Sequence, residues 1–473
     1  MNEQPRSAID RDARPASGTL RAGVAKRDIT TDAAGANIRD PLYAKALVLD
    51  DGATTVVLIA MDVTAIGGRR ISQRMLDDVG EEFLPRLRSR IQDTFGIPGG
   101  HVLVNASHTH PPGRLLCDDD EQVERTFDAV RLALLNMTPV RIGAGAGYED
   151  RITINRDLQL KNGKDWTIRH TNPCPPDGEV TGVGPIDPEI GIIRIDRLDG
   201  RPLAVVYNFA CHPMFGDVRG SITANFPGIA SRVIEEHLGQ EAMALFLQGA
   251  GGNICDVLFK DFNRPRDIEP LGTMLGLSTV QALNDIRTGD ATLRVIAKTI
   301  ALPRRTDIPE RIAALRQEQA DLLESLHYTT LNFKSFLPLY ISQGLFPEYP
   351  SDYSYRYLQA EQIDSEELRD LDALKKGAIA KYLNNIQAME ALARIQDDIA
   401  TLEKHAAINR ESGETTVPAE VQGIRIGDCV LLTSPVELLV EIGLQLKKTS
   451  PFAHTLVAPF SNGYLHYGAP AEA

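Results

Sequence analysis

Residues 43–62 read YAKALVLDDGATTVVLIAMD, and residues 101–110 read HVLVNASHTH. Two β-rich runs, Tyr43–Leu49 and Thr55–Met61, flank the turn residues Asp50-Asp51-Gly52, which is the signature of a close strand pair. Val56–Ala60 shows no alternation, so that strand is expected to be buried on both faces. It ends on Asp62. The run His101–Val104 is a second buried strand, and it ends in Asn105-Ala-Ser-His-Thr-His110. Between the two, Ile71–Thr94 has helical periodicity.

The pattern continues outward. Glu121–Asn136 reads as a helix and Val140–Ile154 as a strand pair. Ile190–Ile195 and Leu203–Phe209 are strands about a turn at Asp199-Gly200. Phe226–Leu238 is a helix, Met243–Leu247 a strand and Leu271–Ile286 a helix. After Pro303 the character changes. Pro309–Leu326 and Ile363–Lys404 are long, charged and helical in pattern, with an aromatic segment, Tyr328–Tyr357, between them. Strands return at Val421–Ile426 and Cys429–Leu432, followed by a helix over Val436–Lys447 and a last strand over Thr455–Phe460. The expected fold is α/β: one large mixed β-sheet domain flanked by helices over 20–473, interrupted by a helical hairpin at about 305–415, after a disordered lead-in over 1–19.

Hydrophobic residues make up 43% and charged residues 24% of the 473, an ordinary globular balance. The net charge of −14 argues against nucleic acid and anionic membrane surfaces, which need basic patches. No stretch reaches the ~20 apolar residues of a membrane span. Met1–Leu20 lacks a signal peptide's apolar core, and five scattered cysteines without a CxxC read as reduced thiols. Both point to the cytoplasm, or to secretion with a signal peptide that this sequence does not include. Homo-oligomerisation stays open.

His108-Thr-His110 is the strongest local signal for chemistry. On extended backbone, residues two apart point the same way, so both imidazoles can face one point at the strand's end. His212, in Asn208-Phe-Ala-Cys-His-Pro, repeats the arrangement of strand then histidine, although alone it reads equally as structural. Cys211 points to the other face. Glu437, in Thr433-Ser-Pro-Val-Glu437, also fits a routine partner of a helix dipole. Tyr464 and Tyr467 also fit loop packing, and Arg156 a solvated surface. Gly249-Ala-Gly-Gly252 lacks the spacing of a phosphate cradle and reads as a tight turn that brings backbone close to the site.

Taken together, and in order, several segments resemble the neutral/alkaline non-lysosomal ceramidase family in its catalytic domain. They are Ala22-Gly-Val-Ala-Lys-Arg-Asp-Ile-Thr30, Asp62 after its strand, His108-Thr-His110, Asn155-Arg156 and His212. The Gly-rich turn with Asn253, Pro435-Val-Glu437 and Asn462-x-Tyr464-x-x-Tyr467 follow. The resemblance covers roughly 20–300 and 420–473. It implies Zn²⁺ on His108, His212, Glu437 and Tyr467, with His110 and Arg156 as substrate and transition-state contacts. Asp62 would orient a ligand histidine, with Asn253 and Tyr464 near the site. The sequence departs from the family at Pro111-Pro112-Gly113, where Ser-Gly is usual, and at Cys255, where a serine is usual. It has no room for the family's C-terminal immunoglobulin-like domain, and the insertion at 305–415 has no match.

The implied chemistry is hydrolysis of an amide (N-acyl) bond by a zinc-activated water. The expected substrate is a small or medium N-acyl amide rather than membrane-embedded ceramide, because no basic amphipathic helix is visible to lay the chain on a surface. An esterase or lactonase on the same site, or a non-catalytic zinc-containing binding protein, are the alternatives. A metal-dependent amidohydrolase barrel would need eight even βα units, which the sequence does not offer.

Overall fold

The computed structural model describes residues 19–68, 79–110, 117–168, 175–214, 221–239, 241–256, 267–350 and 354–470. The expected lead-in before Thr19, the first part of the 71–94 helix and the Pro-Pro-Gly loop at 111–113 lie outside these residues. Two compact units are present: Met1–Ile168, Pro175–Ala301 and Pro418–Ala473 form one, and Arg169–Cys174 with Leu302–Val417 the other.

The first unit begins with β1 (Arg21–Asp28), β2 (Tyr43–Asp50), β3 (Thr55–Met61), β4 (Val102–Ala106) and β5 (Thr138–Tyr148). Short strands follow: β6 (Thr153–Asn155), β7 (Asp157–Leu160), β8 (Asp165–Thr167) and β9 (Val180–Val183). Then come β10 (Glu189–Arg197), β11 (Pro202–Phe209), β12 (Met243–Gln248) and β13 (Ile254–Asp256). The last are β14 (Leu293–Pro303), β15 (Thr416–Ile426), β16 (Cys429–Thr433), β17 (Glu437–Leu438), β18 (His454–Ala458) and β19 (Tyr467–Gly468).

Eight strands make one mixed sheet, in the order β12-β11-β10-β5-β1-β2-β3-β4. Most neighbours run antiparallel, but β3 and β4 are parallel, and so are β11 and β12. A second sheet has the order β14-β15-β16-β18. Period-2 geometry sorts the side chains of the large sheet onto two faces, which contribute to three cores. Val57, Ile59, Met61, Val102 and Val104 face the helices Phe83–Phe95 and Asp119–Leu135. Val56, Leu58, Leu103, Val206 and Leu245 face Ile424, Leu431 and Leu456 of the second sheet. Tyr207, Phe209 and Phe246 face the helices Asn225–Leu238 and Glu269–Leu283. This double burial is why Val56–Ala60 carries no polar residue.

Several readings are corrected. Val140–Ile154 is not a strand pair. β5 runs unbroken because it pairs with β10 along its length, and β6 joins β13 in a separate two-stranded sheet. A strand, β14, precedes the change of character at Pro303. Its exposed, non-alternating sequence carries no period-2 signal. The helix expected from Val436 starts at Val440, because Glu437 and Leu438 are drawn into a parallel bridge with Tyr467 and Gly468.

The second unit holds the helices Ile308–Ser325, Phe333–Leu345, Tyr355–Gln362 and Glu367–Ser412. The first lies antiparallel along the last, with Arg316 on Glu403 at 2.8 Å and Gln319 on Gln396 at 3.3 Å. The aromatic segment adds two helices to this hairpin. Asn332 and Ser335 form a capping box that starts one of them, and Gly413, at φ 65°, terminates the long helix.

Leu58 is fully buried between the two sheets. Leu58→Ala is expected to lower unfolding stability by about 2–5 kcal/mol. Urea denaturation would read this, and an unchanged midpoint would show that the sheet-to-sheet core carries little of the stability.

Candidate metal centre

Strand β4 ends at Ala106, and the chain then turns through His108 at φ 62°, a left-handed conformation that is uncommon for a residue with a Cβ. The Ser107 and His108 amides donate to Met61 O and Val63 O, which hold that turn against the end of β3. His108 and His110 therefore converge through a folded turn, not through the alternation of an extended strand. Their Nε2 atoms are 3.0 Å apart. His212 follows β11, and its Nε2 also lies 3.0 Å from that of His108. Glu437 Oε2 stands 3.2 Å from His212 Nε2 and 3.5 Å from His108 Nε2. His108, His212 and Glu437 are all buried, and His110 is partly so.

The proton positions follow from the partners. His108 Nδ1 is 2.6 Å from Thr64 O, and His212 Nδ1 is 2.5 Å from Gly251 O. A carbonyl only accepts, so each Nδ1 carries the proton and each Nε2 presents a lone pair. Two such lone pairs and a carboxylate oxygen face one another in a buried space, an arrangement that repels itself unless a cation sits among them. Ligand atoms about 2.0–2.1 Å from one tetrahedral ion stand roughly 3.3 Å apart, which matches the separations seen here. The donor atoms of His108, His110 and His212 lie within 4.8 Å of one another, so the chain carries a buried cluster able to hold a metal ion.

Burial, with His108 close by, pushes His212 down to about 4 and His110 well below the usual imidazole range. Burial opposes charge on Glu437, and the histidines hold its carboxyl well below the ordinary range where a proton on Nε2 of His108 or His212 faces it, a place that a cation would take. Neutral imidazoles beside an ionised carboxylate are what a divalent cation requires.

Around this cluster, the Tyr464 hydroxyl donates to Glu437 Oε1, leaving Oε2 toward the histidines. Gly68, at φ 90°, lies so close to the Tyr464 ring that a Cβ there would come within 2.5 Å of it. Tyr467 is the register partner of Glu437, and its hydroxyl accepts from Arg156 at 2.8 Å. Arg156 also donates to Gly252 O at 2.5 Å, and its buried Nε has no acceptor among the described residues. The turn at 249–252 thus supplies carbonyls both to His212 and to Arg156.

Two expected residues do other work. The Asp62 carboxylate accepts the Tyr43 amide at 2.9 Å, while both histidine Nδ1 protons go to backbone carbonyls, so it is not the orienting partner. Burial pushes Asp62 up to about 6, with Lys45 pulling the other way. The Asn253 side chain bonds Asp157, Glu441 and the Val440 amide, which fixes the turn to the start of the last helix.

Sequence reading missed the residues that tie the strand ends together. Asn105 donates to Pro459 O and Ser461 and accepts from the Gln248 amide. Gln248 donates to Cys211 O, and Asn208 to Leu247 O and Val457 O. Their signal was a single polar amide closing or interrupting an apolar strand. Phe460 lies against His108 with ring centroids 4.3 Å apart. A cavity of about 830 Å³ is lined by residues such as Asp51, Arg287, Thr292 and Arg425, and by none of the cluster.

Solved ceramidases share this fold. A neutral ceramidase from Pseudomonas aeruginosa superposes with a TM-score of 0.57 at 16% identity, over 96% of this chain and 69% of that one. A ceramidase complexed with C2 gives 0.55 at 14% identity, over 96% and 70%. No family model and no curated sequence matches the chain.

Because His212 is depressed to about 4 and His110 also lies low, unfolded imidazoles bind protons between pH 6.5 and 4 that the folded ones refuse. The unfolded state gains protons there, so folded stability falls as pH falls through that window. Thermal melts of metal-free protein should show Tm dropping from pH 6.5 toward 4, and His212→Asn should flatten that slope. Parallel slopes for both proteins would remove His212 as the source.

Proposed function

We propose that this chain is a zinc-dependent hydrolase of an amide (N-acyl) bond, similar in type to the neutral ceramidases. One observation carries the reading: two imidazole lone pairs, their tautomers fixed by Thr64 O and Gly251 O, stand 3.0 Å apart and meet the Glu437 carboxylate at 3.2 and 3.5 Å. Two nitrogens and a carboxylate are a zinc donor set. Tyr467, paired in register with Glu437, is the proposed fourth ligand.

Zinc in such a set supplies Lewis acidity, polarising a carbonyl and lowering the pKa of water to about 7. The chain's own residues do the rest. Glu437 supplies the charge that neutralises a cation, and Tyr464 fixes which of its oxygens faces the histidines. Arg156 is held on two sides, by Gly252 O and Tyr467, and keeps its buried Nε donor unspent. Tyr467 and Cys255 raise the guanidinium's pKa against the effect of burial, so it stays charged. A carbonyl oxygen that gains negative charge beside it would take up that donor. His110 is neutral and the least buried of the three histidines, so it can take the proton that an attacking water gives up and return it to the leaving amine.

Elemental analysis of protein purified without chelator is expected to find one zinc per chain. His108→Ala and His212→Ala should each lose metal and hydrolysis together. A metal-free wild-type protein that hydrolyses N-acyl amides would end the reading.

Arg156→Ala should retain the metal and lose about 10²–10³ in kcat, the usual cost of an oxyanion donor. A hydrolysis screen across N-acyl amides, esters and lactones, with and without chelator, supplies the substrate for that measurement. Unchanged turnover would remove Arg156 from the chemistry.

A further inference from the structure

In the second unit, the helix Phe333–Leu345 leaves an apolar face uncovered. Phe333, Leu337, Ile341 and Leu345 recur every fourth residue and are 64%, 40%, 49% and 66% exposed. Tyr340 stands on the same side, and Phe346 follows the last turn, both about half exposed. At about 100° per residue the stripe spans an arc of roughly 140°, as wide as the face a helix normally buries. The inward side is narrower. Phe336 is buried and stacks on Tyr382 of the long helix, with ring centroids 4.6 Å apart. Tyr355, Leu358 and Ile363 add exposed apolar groups on and just after the neighbouring helix.

The position of this face within its unit is also unusual. Phe336 meets the long helix at Tyr382, and Tyr357 bonds it at Asp372. That helix continues to Ser412 before the chain leaves through Thr416. At 1.5 Å per residue, the aromatic helices sit roughly 45–60 Å along the arm from its exit.

We propose that this face is a docking surface for a neutral or zwitterionic lipid surface. Charge selects the occupant. From Tyr328 to Phe346 the only charged residue is Lys334, in a chain of net charge −14. Exposed acids follow the stretch at Glu348, Glu361, Asp364, Glu366, Glu367 and Asp370, against the exposed bases Arg356 and Arg369, the latter paired with Glu361. An apolar face with a single lysine and a border in which acids outnumber bases suits lipid without net charge and is disfavoured by anionic lipid. A second copy is disfavoured, because a two-fold contact would set the two acidic borders against each other. A different protein partner would want about one hydrogen bond per 100–200 Å², and the stripe offers only Tyr340 and Lys334 as donors. A lipid surface needs no directed bonds, only apolar area to remove from water. The helix is amphipathic without being basic, so it lacks the positive face by which surface-binding helices are read from sequence.

The proposal does not depend on the hydrolase reading, and its test uses no turnover. Full-length protein is mixed with phosphatidylcholine vesicles, or with the same vesicles containing phosphatidylserine, and sedimented. The wild type should partition onto phosphatidylcholine and less onto the anionic vesicles. The double variant Leu337→Glu, Ile341→Glu changes exposed positions, so it should keep the wild-type melting curve while losing at least tenfold in partition. A Leu345→Trp variant should show a blue shift in emission on vesicle addition that the wild type, with its single native Trp166, does not. The proposal is overturned if the wild type does not bind phosphatidylcholine, if the folded double variant binds equally, or if the emission of the Leu345→Trp variant stays unshifted. It is likewise overturned if sedimentation velocity shows a wild-type dimer that the double variant makes monomeric.

Discussion

Two backbone carbonyls, those of Thr64 and Gly251, decide what the centre of this protein is. Each accepts a hydrogen bond from the Nδ1–H of a buried histidine and so leaves that ring's Nε2 as a lone pair aimed at its counterpart. Burial then keeps the His212 ring neutral, and Glu437 adds a negative charge that the same burial would otherwise forbid. Without a cation the grouping is electrostatically frustrated; with one, each of its oddities has a purpose. Backbone carbonyls are rigid partners, since moving them means moving a strand end. The histidines are oriented by the main chain itself and not by an acidic side chain such as Asp62.

That arrangement needs strand ends to arrive together, and the mixed sheet provides this. β4 and β11 each lie parallel to one neighbour, and their carboxyl ends deliver His108 and His212. The turn after β12 brings Gly251 and Gly252 beneath them. A close approach there leaves no room for a Cβ on Gly252, which would come within about 3 Å of the Glu437 and Leu438 carbonyl oxygens. The amides of Asn105, Asn208, Gln248 and Asn462 satisfy backbone groups that the diverging strands leave open. These buried polar bonds cost little while fully paired, and each would be expensive to leave half made.

The second unit follows a different physical logic. Its long helix has a thin buried seam, Ile379, Ala388, Ile395 and Ile399, and a largely charged exterior. Two short helices carry many of its exposed large hydrophobics, and in one of them Phe336 is the buried residue while Phe333, Leu337, Ile341 and Leu345 are exposed. A soluble domain seldom exposes such a face without a use for it.

Read as a string of residues, the chain already specifies its layers and its donors. An unbroken Val56–Ala60 can only be a strand covered on both sides, and the β2–β3 turn at Asp-Asp-Gly fixes its partner. His108 and His110 stood out where an apolar strand stops, whereas His212 alone read equally as structural and Glu437 as a helix-dipole partner, so those two were singled out by the family resemblance. Local patterns of this kind survive folding, since they record which side chains water must not reach. Everything else waited on the folded chain. Glu437 reads as a helix's first turn until Tyr467, 30 residues on in the chain, draws it into a strand. The left-handed turn at His108, the two orienting carbonyls and the Tyr464 bond to Glu437 all join residues far apart in sequence. β14 and the outward face of Phe333–Leu345 carry no contrast between a wet and a dry side that periodicity could use. Hydrogen bonds between distant segments leave no periodic mark on either partner, so only the assembled fold could show which atoms meet.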